Sequence, residues 1–463
     1  MAPKYNELTI KTMHNVSKLF VGGFVLCTLL ATSSCHRFRF DPDAYQQIME
    51  IESIVDSVDQ YHNWQLGGTH QYTVTAPKGI GAVKMYVLSE NPLRTDEPVI
   101  MAQADISDGD VKKIGTYLTN DITRLYVAFR NREGTYTVTS FFTNNLKPEF
   151  YNFLAKNVEL TNINKLQTMT YLFEEECPVP GDYDYNDVVL RISQEPVSNR
   201  QIDLHVTLSA VGGTKQMAGG IRLMGYNYNS VESITTDNGD SFNKGGTKSD
   251  KPIETYQVWP DENLLQQSRD NEPLIAIFED AHWALSDDED VTSIVSGEKR
   301  KYYNTVKKSS NTEKEESDSE SKTPTVETSK TLPERTVTYH ILFKEGTDIS
   351  DFSLGKLDPF IVESYMDSRW EIHGYRQRHA QVLFEYTMTD VRALPWALII
   401  PDGDFRYPVE GRHIGFGKHD VNGKDAGLFG PYAEPGHSFG QWAFNMNQST
   451  DWYLHLFNEN EAY

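Results

Sequence analysis

Between Gln71 and Phe142, apolar and polar residues alternate in four short runs: QYTVTA (71–76), AVKMYVL (82–88), RLYVAFR (124–130) and TYTVTSFF (135–142). A period of two, with many β-branched and aromatic residues, predicts half-buried strands. ENPLRTDEP and RNREG separate runs with the Gly, Asn and Pro that turns require. Residues 61–160 therefore read as a small all-β domain. A second series follows: MTYLF, DVVLRI, IDLHVTLSAV, GIRLMG and PLIAIF, then TVTYHILF, AQVLFEYT and WALII. It predicts a larger β domain over 161–463. The stretch 297–335 interrupts it with Lys, Glu, Ser and Thr, and has too few large aliphatics to offset its own ordering entropy. We read it as a disordered surface insert. The expected fold class is mainly β: an N-terminal immunoglobulin-like β-sandwich followed by a larger jelly-roll-like β-sandwich domain.

The pattern upstream is different. Ile48, Ile51, Val55 and Val58 recur at three- and four-residue steps behind Asp41-Pro42, which predicts a short capped helix within the segment 35–60. Before it, Lys11 and Lys18 precede the apolar run LFVGGFVLCTLLA (19–31) and then Thr32-Ser33-Ser34-Cys35. A basic region, an apolar run and small residues make the pattern of a cleaved leader over 1–34. Thirteen residues are too few to span a hydrocarbon core, which takes roughly 20. Small residues immediately before Cys35 resemble a bacterial lipobox, with Cys35 the lipidated first residue of the mature chain. Thr32 stands where that pattern prefers a large aliphatic, and ordinary cleavage leaving a plain thiol is the alternative. The chain has three cysteines: Cys27 falls in the leader, Cys35 is the candidate anchor, and Cys177 is left alone. A lipidated mature chain thus has no intramolecular disulfide and depends on core burial. Cys177 reads as a structural thiol.

Charge narrows the class of partner. The formal net charge is -23, and removing the leader with Lys4, Lys11, Lys18 and Glu7 makes the remainder more acidic still. Such a surface repels nucleic acid and favours cations or basic partners. No nucleotide-binding, zinc-protease or serine-hydrolase motif is present in the sequence.

The densest candidate chemistry is GDYDYNDVVL (181–190). Asp182, Asp184 and Asn186 alternate as calcium-loop ligands do, with Asp187 following. It is not an EF-hand: the sixth position is Asp187 where Gly is needed, the twelfth is Ser193 where Glu is needed, and a strand follows. Two readings stand. One is a calcium site in a β-turn, completed by Glu176 or its neighbours Glu174 and Glu175. The other is a turn whose carboxylates accept backbone N–H bonds.

The longer segment YLFEEECPVPGDYDYNDVVL resembles the start of the LruC domain. Further motifs fall in the family's order: Ala218-Gly219-Gly220-Ile221-Arg222-Leu223, Leu357-Asp358-Pro359-Phe360-Ile361, Glu371-Ile372-His373, Leu394-Pro395-Trp396-Ala397, Phe405-Arg406-Tyr407-Pro408 and Asp451-Trp452-Tyr453. His62-Asn63-Trp64 is similar to the segment that precedes this domain in lipoproteins of the Bacteroides group. Glu175-Glu176 stands where the family prefers Glu-Asp, and Leu357-Asp358 stands where its Asn-Pro-Phe-Ile motif begins with Asn. The resemblance implies an exported, usually lipid-anchored β protein, and it supplies no catalytic residues.

Four of the seven tryptophans, Trp370, Trp396, Trp442 and Trp452, lie in the last hundred residues. They are candidates for stacking on a glycan, or large core aromatics. The acidic turns PDGD (401–404) and HDVNGKDAG (419–427) are candidates to complete a cation site. The expected function is a non-catalytic cell-envelope binding or adhesion module with a calcium-stabilised acidic turn. It would be held at the outer membrane by its lipid anchor and recognise a protein or glycan ligand. Surface and periplasmic faces both stay open, because His36, Arg37 and Arg39 after the anchor are basic. A glycan-capturing lipoprotein is the alternative. A hydrolase using Glu371-His373 or the acidic turn ranks last.

Overall fold

The computed structural model describes residues 58–59, 61–175, 181–239, 241–242, 258–259, 263–268, 270–286, 302–307, 329–365, 368–375, 394–415, 427–430 and 436–463. The leader, Cys35, all but the last residue of the expected helix, Glu176, Cys177 and the AQVLFEYT run lie outside the described residues.

Among the described residues the chain is mainly β and antiparallel pairing dominates. The first eight strands are β1 (Gly67–Thr75), β2 (Ala82–Leu88), β3 (Val99–Asp105), β4 (Val111–Thr119), β5 (Arg124–Asn131), β6 (Tyr136–Phe142), β7 (Ala155–Val158) and β8 (Lys165–Leu166). Six of them form one sheet in the order β7-β6-β5-β2-β3-β8, and β1 pairs with β4 in a second. The alternation explains the layering. Tyr72 and Val74 of β1 and Ile114 and Leu118 of β4 share a core with Met85, Val87, Leu125, Val127 and Phe129 of the larger sheet. The opposite face of that sheet carries its own cluster, Leu88, Ile100, Ala128, Tyr136 and Val138, with Leu160 and Ile163 packed against it. The RNREG turn joins β5 to β6, with Gly134 at φ +87, a backbone setting that side chains rarely adopt.

The remaining strands are β9 (Thr168–Phe173), β10 (Val188–Pro196), β11 (Gln201–Ala210), β12 (Met217–Leu223), β13 (Val231–Thr236), β14 (Leu265–Gln267), β15 (Pro273–Phe278), β16 (Tyr302–Tyr303), β17 (Ser329–Lys330), β18 (Arg335–Phe343), β19 (Leu357–Tyr365), β20 (Ser368–His373) and β21 (Ala397–Ile400). They build a six-stranded sheet, β13-β18-β11-β10-β9-β21, and a five-stranded sheet, β14-β15-β12-β19-β20. In β11 the inward set Ile202, Leu204, Val206 and Leu208 alternates with half-buried positions, while β12 is buried along its whole length. A short helix, α1 (Ala281–Leu285), follows β15 and is capped by Asp280, whose side chain accepts from His282 N. The Arg335 guanidinium at the start of β18 donates to the carbonyls of Phe242 and Ala284, and the Phe242 ring meets Phe278 edge-on. A second helix, α2 (Phe439–Phe444), lies near the C-terminus.

The insert needs a correction. Two parts of the 297–335 stretch, 302–307 and 329–335, are structured: β16 pairs with β17, Tyr303 is buried and bridges to Val211, and Asn304 Nδ2 donates to the Ser209 carbonyl. Composition hid this, because the anchoring falls on Tyr303 and Asn304 while the Lys/Glu/Ser bias comes from residues around them. Residues 297–301 and 308–328 lie outside the described set.

The first sandwich touches the second at close quarters. A Cβ at Gly115 of β4 would stand 2.2 Å from the Asp351 carbonyl oxygen, so only glycine fits there. Gln167 Nε2 donates to the Tyr117 carbonyl, and Gln103 Nε2 to Glu195, each at 2.8 Å.

Candidate metal centre

β9 and β10 are antiparallel neighbours, with Phe173 opposite Val188. The chain between them must reverse, and the acidic turn is part of that reversal. Glu174 follows directly from β9, and its N–H donates to the Trp396 carbonyl at 2.8 Å, beside β21. Tyr183 and Tyr185 take φ of +60 and +55, settings that are costly for aromatic residues and that persist only where the surroundings impose them. Tyr185 is held by its hydroxyl, which donates to the Pro395 carbonyl at 2.7 Å. Tyr183 offers its carbonyl to Ile414 N. Both rings are buried, so the aromatics face the protein while the residues between them carry the polar groups.

Those polar groups converge. Glu174, Asp182 and Asp184 each offer a carboxylate oxygen, and these oxygens lie within 4.8 Å of one another. Glu174 and Asp184 are 1% exposed and Asn186 is fully buried, whereas Asp182 stands at the surface. The backbone satisfies part of this set. Asp184 accepts from Asn186 N at 3.1 Å and from Gly411 N at 2.7 Å, Glu174 accepts from Tyr185 N, and Asp187 from Glu175 N. Among the described residues one buried oxygen of this set has no partner: Asn186 donates through Nδ2 to the Pro408 carbonyl, but its Oδ1 meets no donor. A Cβ at Gly212 would fall 1.9 Å from this Oδ1 and 2.9 Å from Oε2 of Glu410, so the two oxygens flank one point that glycine keeps open.

The electrostatics follow from burial without cationic partners. Among the described residues no ion pair engages Glu174, Asp182, Asp184 or Asp187. Burial, then Asp187 and Asp182, push Glu174 well above the usual carboxylate range. Burial, then Asp182, Glu410 and Glu174, do the same to Asp184. Asp187 is raised by burial and by Glu175. Asp182 is raised by the protein mass around it even though its side chain reaches solvent, with His413 acting in the opposite sense. Glu410 is pushed up to about 8, first by burial and then by Asp182 and Glu175. Each carboxylate would return to its ionised form if a cation entered.

An all-oxygen set of this kind suits a hard cation. Oxygens bound to one calcium at 2.3–2.6 Å lie at most about 5 Å apart, and the Glu174–Asp182–Asp184 spacing meets that condition. The arrangement can also fasten distant segments together, because Glu174 ends β9, Asp182 and Asp184 lie in the turn, and Glu410 comes from a later stretch.

Not every residue singled out by sequence belongs here. Asp187 is turned to the backbone of Glu175, and Glu176 lies outside the described residues. Glu175 is occupied elsewhere, accepting from Thr214 N, Thr214 Oγ1 and Lys215 N. PDGD is not at the site: Asp404 pairs with Lys165 at 2.6 Å and the Asp402 carbonyl accepts from Thr170. Of HDVNGKDAG only Gly427 is described. Glu410 was missed, since VEGR gives no periodic or spacing signal.

The four tryptophans are interior. Trp370, Trp396, Trp442 and Trp452 are 1%, 4%, 0% and 0% exposed, so no ring presents a face to a sugar. Trp452 packs edge-on against Phe405, Phe429 and Phe439. His62 and Trp64 join the same aromatic group, with His62 Nε2 2.8 Å from the Trp442 carbonyl. His373 is equally enclosed, between Asp358 and Glu371 at 3.0 Å each and stacked on Phe360. Arg222 also bonds Glu371.

Residues 200–416 match the model of a domain of unknown function, DUF4842. The match takes in Glu410 and leaves out Glu174 and the acidic turn. The chain is also similar to the crystal structure of a candidate lipoprotein from Bacteroides ovatus, at 13% identity and a TM-score of 0.45, over 82% of this chain and 99% of that one. Comparison with curated proteins finds no match.

Proposed function

We propose that this chain is a cell-envelope lipoprotein of the LruC type, acting without catalysis as a binding or adhesion module whose acidic turn is stiffened by calcium. The observation that carries the metal reading is the orphaned Oδ1 of buried Asn186 beside a carboxylate cluster that no cationic side chain among the described residues pairs with. A buried polar atom left unpaired costs about 1–3 kcal/mol, and mutual repulsion among the carboxylates adds to that cost. One hard cation relieves both. Glu174, Asp182, Asp184, Asn186 and Glu410 supply its oxygens, Asp187 orders the backbone beside them, and the site ties the β9–β10 reversal to residues 408–414.

Attachment through a lipid on Cys35 rests on the leader pattern, and the ordered motifs that resemble the LruC domain agree with it. A partner-binding role fits a two-sandwich body in which His373 and Asp358, both fully buried, form a brace with Glu371.

Calcium titration by calorimetry tests the site. One calcium per chain is expected, with affinity reduced at least about tenfold in Asn186→Ala. Equal affinity in that variant, or no heat of binding in the native chain, removes the metal reading. Anchoring is tested separately, since Cys35→Ala should lose incorporation of radiolabelled fatty acid and leave the membrane fraction.

A further inference from the structure

We propose that His437, Asp451 and His455 form a second metal site, one for a zinc-class divalent ion, at the C-terminal end of the chain. Each side chain offers one ligand atom, and the three atoms lie within 4.8 Å of one another. His437 Nδ1 stands 2.9 and 2.8 Å from the two oxygens of Asp451, and His455 Nε2 stands 3.4 Å from Oδ2. The two imidazoles stack at 4.0 Å between centroids. A tetrahedral zinc with bonds of about 2.0 Å holds its ligand atoms roughly 3.3 Å apart, and the observed separations bracket that value.

The donor set separates this site from the acidic turn. Two imidazoles and one carboxylate suit zinc and its neighbours in the first transition row, whereas an all-oxygen cage suits calcium. Access is open, with the side chains of His437, Asp451 and His455 exposed by 35%, 41% and 23%.

The frame beneath the ligands is firm. His437 directly precedes Ser438, whose hydroxyl caps α2 by accepting from Gln441 N. Asp451 and His455 flank a single 3-10 turn, Trp452–Leu454. Trp442 of α2 and Trp452 of that turn are both fully buried, with ring centroids 5.7 Å apart. Ser449 Oγ bridges the two segments, 2.6 Å from the Gly436 carbonyl and 2.9 Å from Gln441 Oε1. The ligands therefore come from two segments already fastened to one aromatic core, which lowers the ordering cost of binding. Without metal, the same three residues make a hydrogen-bonded clamp.

The test is a zinc titration of the full chain, free of any histidine tag, in saturating calcium and against a chromophoric chelator. One zinc per chain is expected. His437→Ala and His455→Ala should each weaken it at least about tenfold, while His70→Ala, at an exposed position of β1, leaves it unchanged. No zinc uptake, or equal affinity in both histidine variants, overturns the site and leaves only the clamp. Cobalt substitution of the native chain decides the matter without any variant. Intense visible bands of nitrogen-ligated, low-coordinate cobalt are expected, and the weak spectrum of hydrated cobalt would contradict the proposal.

Discussion

Gly411 N–H donates to Oδ2 of Asp184 over 2.7 Å, joining residues 227 positions apart in the chain. Asp184 thereby belongs to the turn ahead of β10 and to the C-terminal stretch at once. Its other oxygen caps Asn186 N. Losing this side chain uncouples two segments whether or not a cation is bound, so a metal role must be read from what calcium adds.

The pH dependence of the metal-stripped protein is one such reading. Glu174, Asp184 and Asp187 are raised well above the carboxylate range by burial and mutual repulsion, and Glu410 to about 8. From roughly pH 4 upward the folded state holds more protons than the unfolded chain, so stability falls as pH rises. Glu410's share of that decline should run to about pH 8, its folded value. Melting temperatures should therefore be lower at pH 8 than at pH 5 without metal. Saturating calcium, taking the place of the protons, should flatten this slope. A slope that calcium does not change would speak against the cage.

His373 gives a second pH signature at a separate place. Burial alone would lower it, but Asp358 and Glu371, each 3.0 Å from a ring nitrogen, outweigh burial and raise it. For a raised histidine, the stabilisation is fully present below the unfolded value of about 6.5 and is lost as pH climbs through the folded value. Imidazole nitrogen shifts in the NMR spectrum should show His373 protonated above pH 6.5, and Asp358→Asn should bring its titration down. A neutral His373 at pH 6 would contradict this.

The contact between the sandwiches predicts a steric effect. Gly115→Ala sets a methyl 2.2 Å from the Asp351 carbonyl oxygen. Such overpacking costs about 1–3 kcal/mol, to be read as a lower urea midpoint. Gly68→Ala, where a Cβ meets nothing within 4 Å, is the control and should change the midpoint little.

Much of the fold was legible because alternation records burial directly. The runs at 82–88, 124–130, 273–278 and 336–343 fall on β2, β5, β15 and β18. β4 was overlooked because Lys112 and Lys113 break the alternation at its start, and β19 because Asp358, Pro359 and Glu363 disguise a buried strand. The site was legible in part. D-x-D-x-N marked Asp182, Asp184 and Asn186, since local spacing brings them together. Glu410 reaches them only through tertiary contacts around Gly212, which no local pattern encodes. The tryptophans show the reverse error: all four that suggested a stacking face are buried, Trp442 and Trp452 of them in one aromatic group.

Thermal unfolding of the metal-stripped chain, with and without millimolar calcium, tests the central claim most directly, with Asp184→Ala alongside. A ligand at about 100 times its dissociation constant adds roughly 2.7 kcal/mol, enough to raise the melting temperature by several degrees. The account predicts that rise in the native chain and its disappearance in Asp184→Ala. An unchanged melting temperature in the native chain, with Asp184→Ala merely less stable, would mean that the carboxylates cap their own turn and hold no metal.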